Sequence, residues 1–223
     1  MINKNNKPSD INITLKKVLG NILSKEDFKI SKEFDNYKIV IEHQNLLKVI
    51  KTLKDHENLK FTQLIDLTAV DYPDKPKRFN IIYILLSIDY NSRILISTYI
   101  TEDDIVDSIT SLFPCSNWYE REVWDLFGVS FKNHPDLRRI LTDYGFNGFP
   151  LRKDFPLSGN VEVRYDMKSK KVIYEPVKLT QDFRDFDFES PWEGKNTGKD
   201  SGWETNQKYD AKLWPTASCG AWC

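Results

Sequence analysis

Cysteine is scarce in this chain, with three in 223 residues, at positions 115, 219 and 223. That is too few, and too scattered, for a disulfide framework, and it favours a reducing compartment. It also starves the usual iron–sulfur and zinc sites, which need about four ligands. Cys219-x-x-x-Cys223 has only Cys115 for company, and His43, His56 and His134 form no H-x-x-x-H pair. Nucleotide-binding glycine motifs are missing as well. GKNTGKD has three residues between its glycines where a phosphate loop has four, and Asp200 stands where Ser or Thr would ligate magnesium. No G-x-G-x-x-G occurs. The longest apolar run, Ile81 to Leu86, is sized for a strand and not for a membrane span. Work at a membrane would therefore mean docking onto something already embedded there.

Charge of one sign is also lacking overall: the net value is −1, with no general pull toward nucleic acid or anionic lipid. The distribution is uneven. Residues 101–131 carry seven acids and one arginine, whereas 132–178 carry ten Lys/Arg against six acids. Such adjacent stretches suit internal pairing or a charged partner. The N-terminus, MINKNNKPSDINITLKK, has neither the apolar core of a secretory signal nor the arginines of a transit peptide. Ile, Lys and Asn together supply 60 of the 223 residues. Their codons are AT-rich, which makes an organellar genome a candidate source, and a protein made inside the organelle needs no transit peptide.

What is present reads as an α+β domain over residues 1–131. DINITLKKVLGNIL (10–23) has helical spacing with Asp10 as N-cap, YKIVIE (37–42) is a strand, and 45–57 is an amphipathic helix. Residues 61–72 read as extended. RFNIIYILLSIDYNSRILISTYI (78–100) reads as two long strands joined near Tyr90-Asn91-Ser92. Residues 103–113 suggest a further short helix stopped by Pro114. Helix, strand, helix and meander do not alternate regularly enough for a doubly wound sheet.

Beyond residue 131 the character changes. Five prolines (135, 150, 156, 176, 191) interrupt every candidate helix between 132 and 193, and only 161–165 and 171–174 look like strands. So long an irregular stretch is uncommon within a compact domain, yet it is rich in Leu, Phe, Tyr and Trp. It reads as an extended strap whose apolar side chains need a surface, supplied by a partner or, alternatively, by its own N-terminal domain. Residues 194–223 read as a flexible tail.

EREVWDLFG (120–128) is the densest cluster of charge and aromatics. With Asn117 as N-cap and Gly128 as a left-handed C-cap, a helix runs from Trp118 to Phe127, and Asn117-x-x-Glu120 forms a capping-box variant. At 100° per residue, Tyr119, Val123, Trp124, Leu126 and Phe127 share an apolar arc that includes Glu120. Arg121, Glu122 and Asp125 fall opposite, with Arg121 and Asp125 spaced to pair. A carboxylate on the apolar arc could have a raised pKa and act as a catalytic acid, but the capping role already accounts for Glu120. His134-Pro135-Asp136 fits a turn that satisfies its own backbone better than part of a triad.

Four stretches taken together resemble a known family: NWYEREVWDLFGVSFKNHPDLRRILTDYGF (117–146), PLRKDFPLSG (150–159), VEVRYD (161–166) and EPVKLTQDFRDFDFESPWE (175–193). They are similar to mitochondrial NADH dehydrogenase subunit 9 and its bacterial counterpart in respiratory complex I. FTQLIDLTAVDYP and RFNIIYILLS match more loosely. The resemblance implies a non-redox subunit of the peripheral arm, near the quinone-reducing module on the matrix side of the mitochondrial inner membrane, and the wording is nearest to organelle-encoded versions. It implies that this chain binds no cofactor, while other subunits carry FMN, iron–sulfur clusters, NADH and ubiquinone. The implied partners are other peripheral-arm subunits, chiefly the large quinone-module subunit over which the strap runs, with no nucleic acid and no membrane span.

Interface residues follow from both arguments. Glu120, Arg121, Glu122, Trp124 and Asp125 form the signature helix. Arg138, Arg139, Arg152, Lys153 and Asp154 supply charge on the strap. Tyr144, Phe146, Leu151, Phe155 and Trp192 are the anchors. One departure stands out: the family usually has Gly-His-Pro where this chain has Gly148-Phe149-Pro150. Two other readings are a hydrolase using Glu120 with a second carboxylate, and an RNA-binding module built on the basic strap, which the acidic DFRDFDFESPWE opposes.

Overall fold

The computed structural model describes residues 11–24, 27–33 and 36–181. Trp192, the 194–223 tail and the Asp10 cap lie outside them. The chain divides into two compact units, Met1–Val177 and Lys178–Cys223, and every element below belongs to the first.

Alternating β-branched residues build a five-stranded mixed sheet. Its strands are β1 (Phe28–Glu33), β2 (Asn36–Ile41), β3 (Gln63–Asp71), β4 (Phe79–Ser87) and β5 (Ser92–Ile100), in the order β1-β2-β5-β4-β3. All neighbours are antiparallel except β2 and β5, which run parallel. The β4–β5 hairpin turns where the sequence indicates, with Asn91 at positive φ (46°). The β1–β2 pairing was not expected, although Phe28 and Ile30 alternate as a strand should.

Helices α1 (Ile11–Gly20) and α2 (Leu46–Asp55) each place a stripe of leucine and valine on the sheet. Leu15, Leu19, Leu46, Val49, Ile50 and Leu53 are fully buried, as are Ile39, Ile81, Tyr83, Leu85, Ile94 and Ile96 beneath them. These sheet residues share one face, because partners such as Tyr83 and Ile96 lie directly opposite and side chains alternate along a strand.

Residues 103–113 do not form the expected helix. Ile105–Asp107 is a short strand, β6, parallel to β7 (Ser130–Lys132), and helix α3 (Ser116–Phe127) connects the two. The β-branched Ile105 and Val106 suit this pairing, and Val106, Ile109 and Phe113 are buried in the common core. α3 packs closest to β3, the edge strand. The strap follows, irregular up to a final hairpin of β8 (Val161–Asp166) and β9 (Lys171–Pro176). Among the described residues no helix is long and apolar enough to cross a membrane.

Candidate partner-binding site

α3 ends as its sequence indicates and begins otherwise. Gly128 adopts φ 80° and donates its N–H to the Trp124 carbonyl. At the other end the helix starts at Ser116, and Asn117 is not its cap. The N–H groups of Ser116, Asn117 and Trp118 donate to the carbonyls of Phe113, Pro114 and Cys115. The preceding turn thus runs straight into the helix and satisfies donors that a side-chain cap would otherwise serve.

Glu120 is therefore free of any capping duty. It is fully buried, and its Oε1 accepts the Ile109 N–H at 2.8 Å, which ties α3 to the chain leaving β6. Burial raises its pKa, against the opposing effects of Ser108, the Ile109 N–H, His134 and Ser116. The Nε2 of His134 lies 3.9 Å from Glu120 Oε2 and 3.1 Å from the Asn117 carbonyl, while its Nδ1 accepts the Asp136 N–H. His134-Pro135-Asp136 is thus the self-satisfying turn expected. Because Glu120 has no exposed surface, no substrate reaches it, and a hydrolase reading has no site here.

Asp125, expected on the polar face beside Arg121, is fully buried instead. One oxygen accepts Arg139 Nη1 (2.8 Å) and the Thr142 hydroxyl. The other accepts three consecutive backbone N–H groups, of Ile140 (3.1 Å), Leu141 (2.7 Å) and Thr142 (2.9 Å). Burial alone would push this carboxyl up; the Thr142 hydroxyl and these N–H groups together hold it well below the usual carboxylate range. Arg121 is released from the expected i, i+4 pair and donates to the carbonyls of Arg138 and Arg139.

Arg139 is the hub of the strap. Beyond Asp125 it donates to the Gly148 carbonyl, and its guanidinium lies 5.5–5.7 Å from the ring centroids of Trp124, Phe146 and Phe149. Arg152 repeats the pattern one turn of strap later. It donates to the Phe127 carbonyl, pairs with Glu102 and stacks on Phe149 at 4.5 Å. Phe149 is therefore held between two guanidiniums. It also presses on Gly128, where an added Cβ would come within 2.7 Å of its ring and 2.6 Å of Arg152. Further on, the Lys153 N–H donates to the buried carboxylate of Asp71, itself paired bidentately with Arg78, and Arg78 pairs with Asp154. The Arg78 hydrogen bond lowers the Asp71 pKa, aided by the Lys153 N–H and opposed by burial.

These bonds sort the interface residues by direction. Glu120 and Asp125 are sealed inside; Arg121, Trp124, Arg139, Phe146, Arg152 and Phe155 make internal contacts and are half-buried. Glu122, Arg138, Tyr144, Leu151, Lys153 and Asp154 face solvent, although Arg138 pairs with Asp136 and Asp154 with Arg78. Trp192 lies outside the described residues. Sequence reasoning missed Trp118, Leu141 and Leu157, which are 67%, 63% and 91% exposed. It also missed the hairpin face. Val161, Val163 and Tyr165 pair across to Pro176, Tyr174 and Val172, so six apolar or aromatic side chains share one exposed face. Alternation of the two strands could have shown it. Among the described residues no group of three His, Cys, Asp or Glu converges as a metal site would.

The family described as "Respiratory-chain NADH dehydrogenase, 30 Kd subunit" matches residues 39–161, from β2 through α3 to the start of β8. The chain belongs to this family. It is a subunit of a respiratory-chain NADH dehydrogenase, and its partners are other subunits of such a complex. An NADH-quinone oxidoreductase subunit of Parvibaculum lavamentivorans is 55% identical over 72% of this chain and 80% of that protein. NADH-ubiquinone oxidoreductase subunit 9 of Reclinomonas americana is 58% identical over 69% of this chain and 75% of that protein. In fold, the chain is similar to a subunit in the structure of the membrane-bound sulfane sulfur reductase, an archaeal respiratory membrane complex. That likeness has a TM-score of 0.55 at 21% identity and covers 66% of this chain and 85% of the other.

Proposed function

We propose that this chain is a structural subunit of the peripheral arm of a proton-pumping mitochondrial NADH:ubiquinone oxidoreductase, on the matrix side, supporting the quinone-reducing module. It binds no flavin, iron–sulfur cluster or nicotinamide itself; those groups belong to neighbouring subunits, and the complex as a whole moves electrons from NADH to ubiquinone. The strap is its working surface. One observation carries the reading: a buried charge network fixes 138–155 to α3, and that fixed backbone holds Leu141, Tyr144 and Leu151 outward, with Leu157 just beyond it, where no described residue buries them. A soluble monomer seldom maintains such apolar exposure on an ordered segment. The partner that suits it is the large quinone-module subunit.

The test is a native gel of solubilised membranes, probed for this chain and stained for NADH-dependent activity. The chain runs with the activity band of the large complex, and Tyr144→Asp with Leu157→Asp moves it out of that band. A compact monomer as the main cellular form overturns the proposal.

A further inference from the structure

The sheet has a second face, on which the described residues leave the large apolar side chains only half-buried around a buried Ser97–Asn80 hydrogen bond. Cross-strand register aligns Lys38, Leu95, Ile84 and Asp66 in one row, and Lys29, Val40, Ser97 and Ile82 in the next. Leu86 and Tyr99 extend the apolar patch at either end. Ile82, Ile84, Leu86, Leu95, Val40 and Tyr99 are all only half-buried, whereas their strand neighbours Ile81, Tyr83, Leu85, Ile94 and Ile96 are sealed under α1 and α2. The sheet is thus apolar on both sides and packed on one. A strand exposed to water on one face normally alternates apolar with polar, and β4 does not.

Charge narrows the occupant. Lys29 and Arg93 lie on the β1–β2–β5 side of this face, and Lys75 stands over the Tyr99 ring (5.8 Å). Asp66 is the acid on the β3 side. The basic side opens into a groove of about 620 Å³ lined by Lys29, Lys75 and Lys77, with Asp27 and Glu42 on its wall, the latter already paired to Lys77. A second copy would bring the same excess of positive charge and be repelled. A neutral apolar helix would leave the basic side unmatched.

We propose that this open sheet face is a second docking surface, shaped for an amphipathic helix of another subunit that carries Asp or Glu along one flank. The covered face of the same sheet shows the packing: a helix with an apolar stripe laid on Ile and Leu rows. The proposal rests on the preceding reading only in drawing its occupant from the same assembly; the strap is not involved.

Photo-crosslinking from the middle of the face tests it. Leu95→p-benzoylphenylalanine is introduced into the full chain, the complex is isolated from the NADH-staining band, and the adduct peptide is sequenced. The expected adduct is a peptide of another subunit with apolar residues at i, i+3 and i+4 and acids on one flank. Lys29→Glu with Arg93→Glu lowers its yield about tenfold while the melting temperature of the isolated chain stays unchanged. An adduct with a second copy, with this chain itself or with a helix lacking acids overturns the proposal. So does a chain that runs in the complex without any adduct, or a yield indifferent to the charge reversal. A chain absent from the band fails the preceding reading instead. The isolated chain then decides this one, since the same probe must label a designed amphipathic peptide with a glutamate flank over its lysine-flanked counterpart, and equal labelling overturns it.

Discussion

The two ends of the strap are held by different forces. Residues 138–155 have almost no regular structure yet are fixed by buried charge: Asp125 and Asp71 each gather arginine and backbone N–H donors from the strap or its neighbour. Residues 161–176 have regular strands but little beneath them, and an isolated two-stranded hairpin is marginal in water. Its tie to the rest of the strap is the Tyr174 hydroxyl donating to Asp143. Regularity and anchoring are therefore separate properties. A segment without helix or strand can be rigid if its backbone donors find buried carboxylates, and a well-formed hairpin can still need a partner.

The sharpest way to break this contrast is at Asp125. Asp125→Asn leaves Arg139 without its counter-ion and weakens the acceptors for three backbone N–H groups. A loss of about 3–5 kcal/mol in urea unfolding is expected, with fast amide exchange at 140–142. A small loss with protected amides would show that charge does not anchor the strap. Gly128→Ala comes next, because it meets both a positive φ and the Phe149–Arg152 stack, and should cost about 1–3 kcal/mol. The same denaturation experiment checks it.

Two titrations of opposite sign provide a finer test. The Asp125 pKa is depressed, so its contribution is present at neutral pH and is lost as pH falls below the ordinary value of 3.8. The Glu120 pKa is raised, so the folded state binds its proton more tightly, and stability declines as pH rises above 4.5 through the folded value. Glu120→Gln should flatten that decline in melting temperature against pH while leaving the acid limb intact. The smallest effect on stability is expected on the hairpin. Val163→Asp should stay within about 0.5 kcal/mol in the isolated chain, yet reduce recovery of the chain in the large complex on a native gel.

Much of this organisation was legible beforehand. Prolines at 135, 150 and 156 forecast an irregular strap, the apolar, β-branched run of 78–100 forecast β4 and β5, short strand-like stretches forecast β8 and β9, and Gly128 forecast the end of α3. The start of α3 was not legible, because Asn117 carries a capping signal that the preceding turn makes unnecessary. Nor was β6 legible: three residues of strand, paired to a partner beyond a helix, leave no periodicity to read. EREVWDLFG forecast a helix where α3 lies, while its carboxylates misled, since Asp125 has a local partner at the right spacing in Arg121 and does not use it.

The sequence by itself settled the elements whose signals are local, namely helical stripes, alternating strands and glycine and proline stops, together with membership of a respiratory-chain family. Only the tertiary structure decided which charges are spent inside. Asp125 reaches Arg139, fourteen residues away, instead of Arg121, four away. The reason is physical: spacing along a helix fixes which side chains can meet, but burial removes water from the competition, and the winner is whichever partner can bring enough donors into the dry interior.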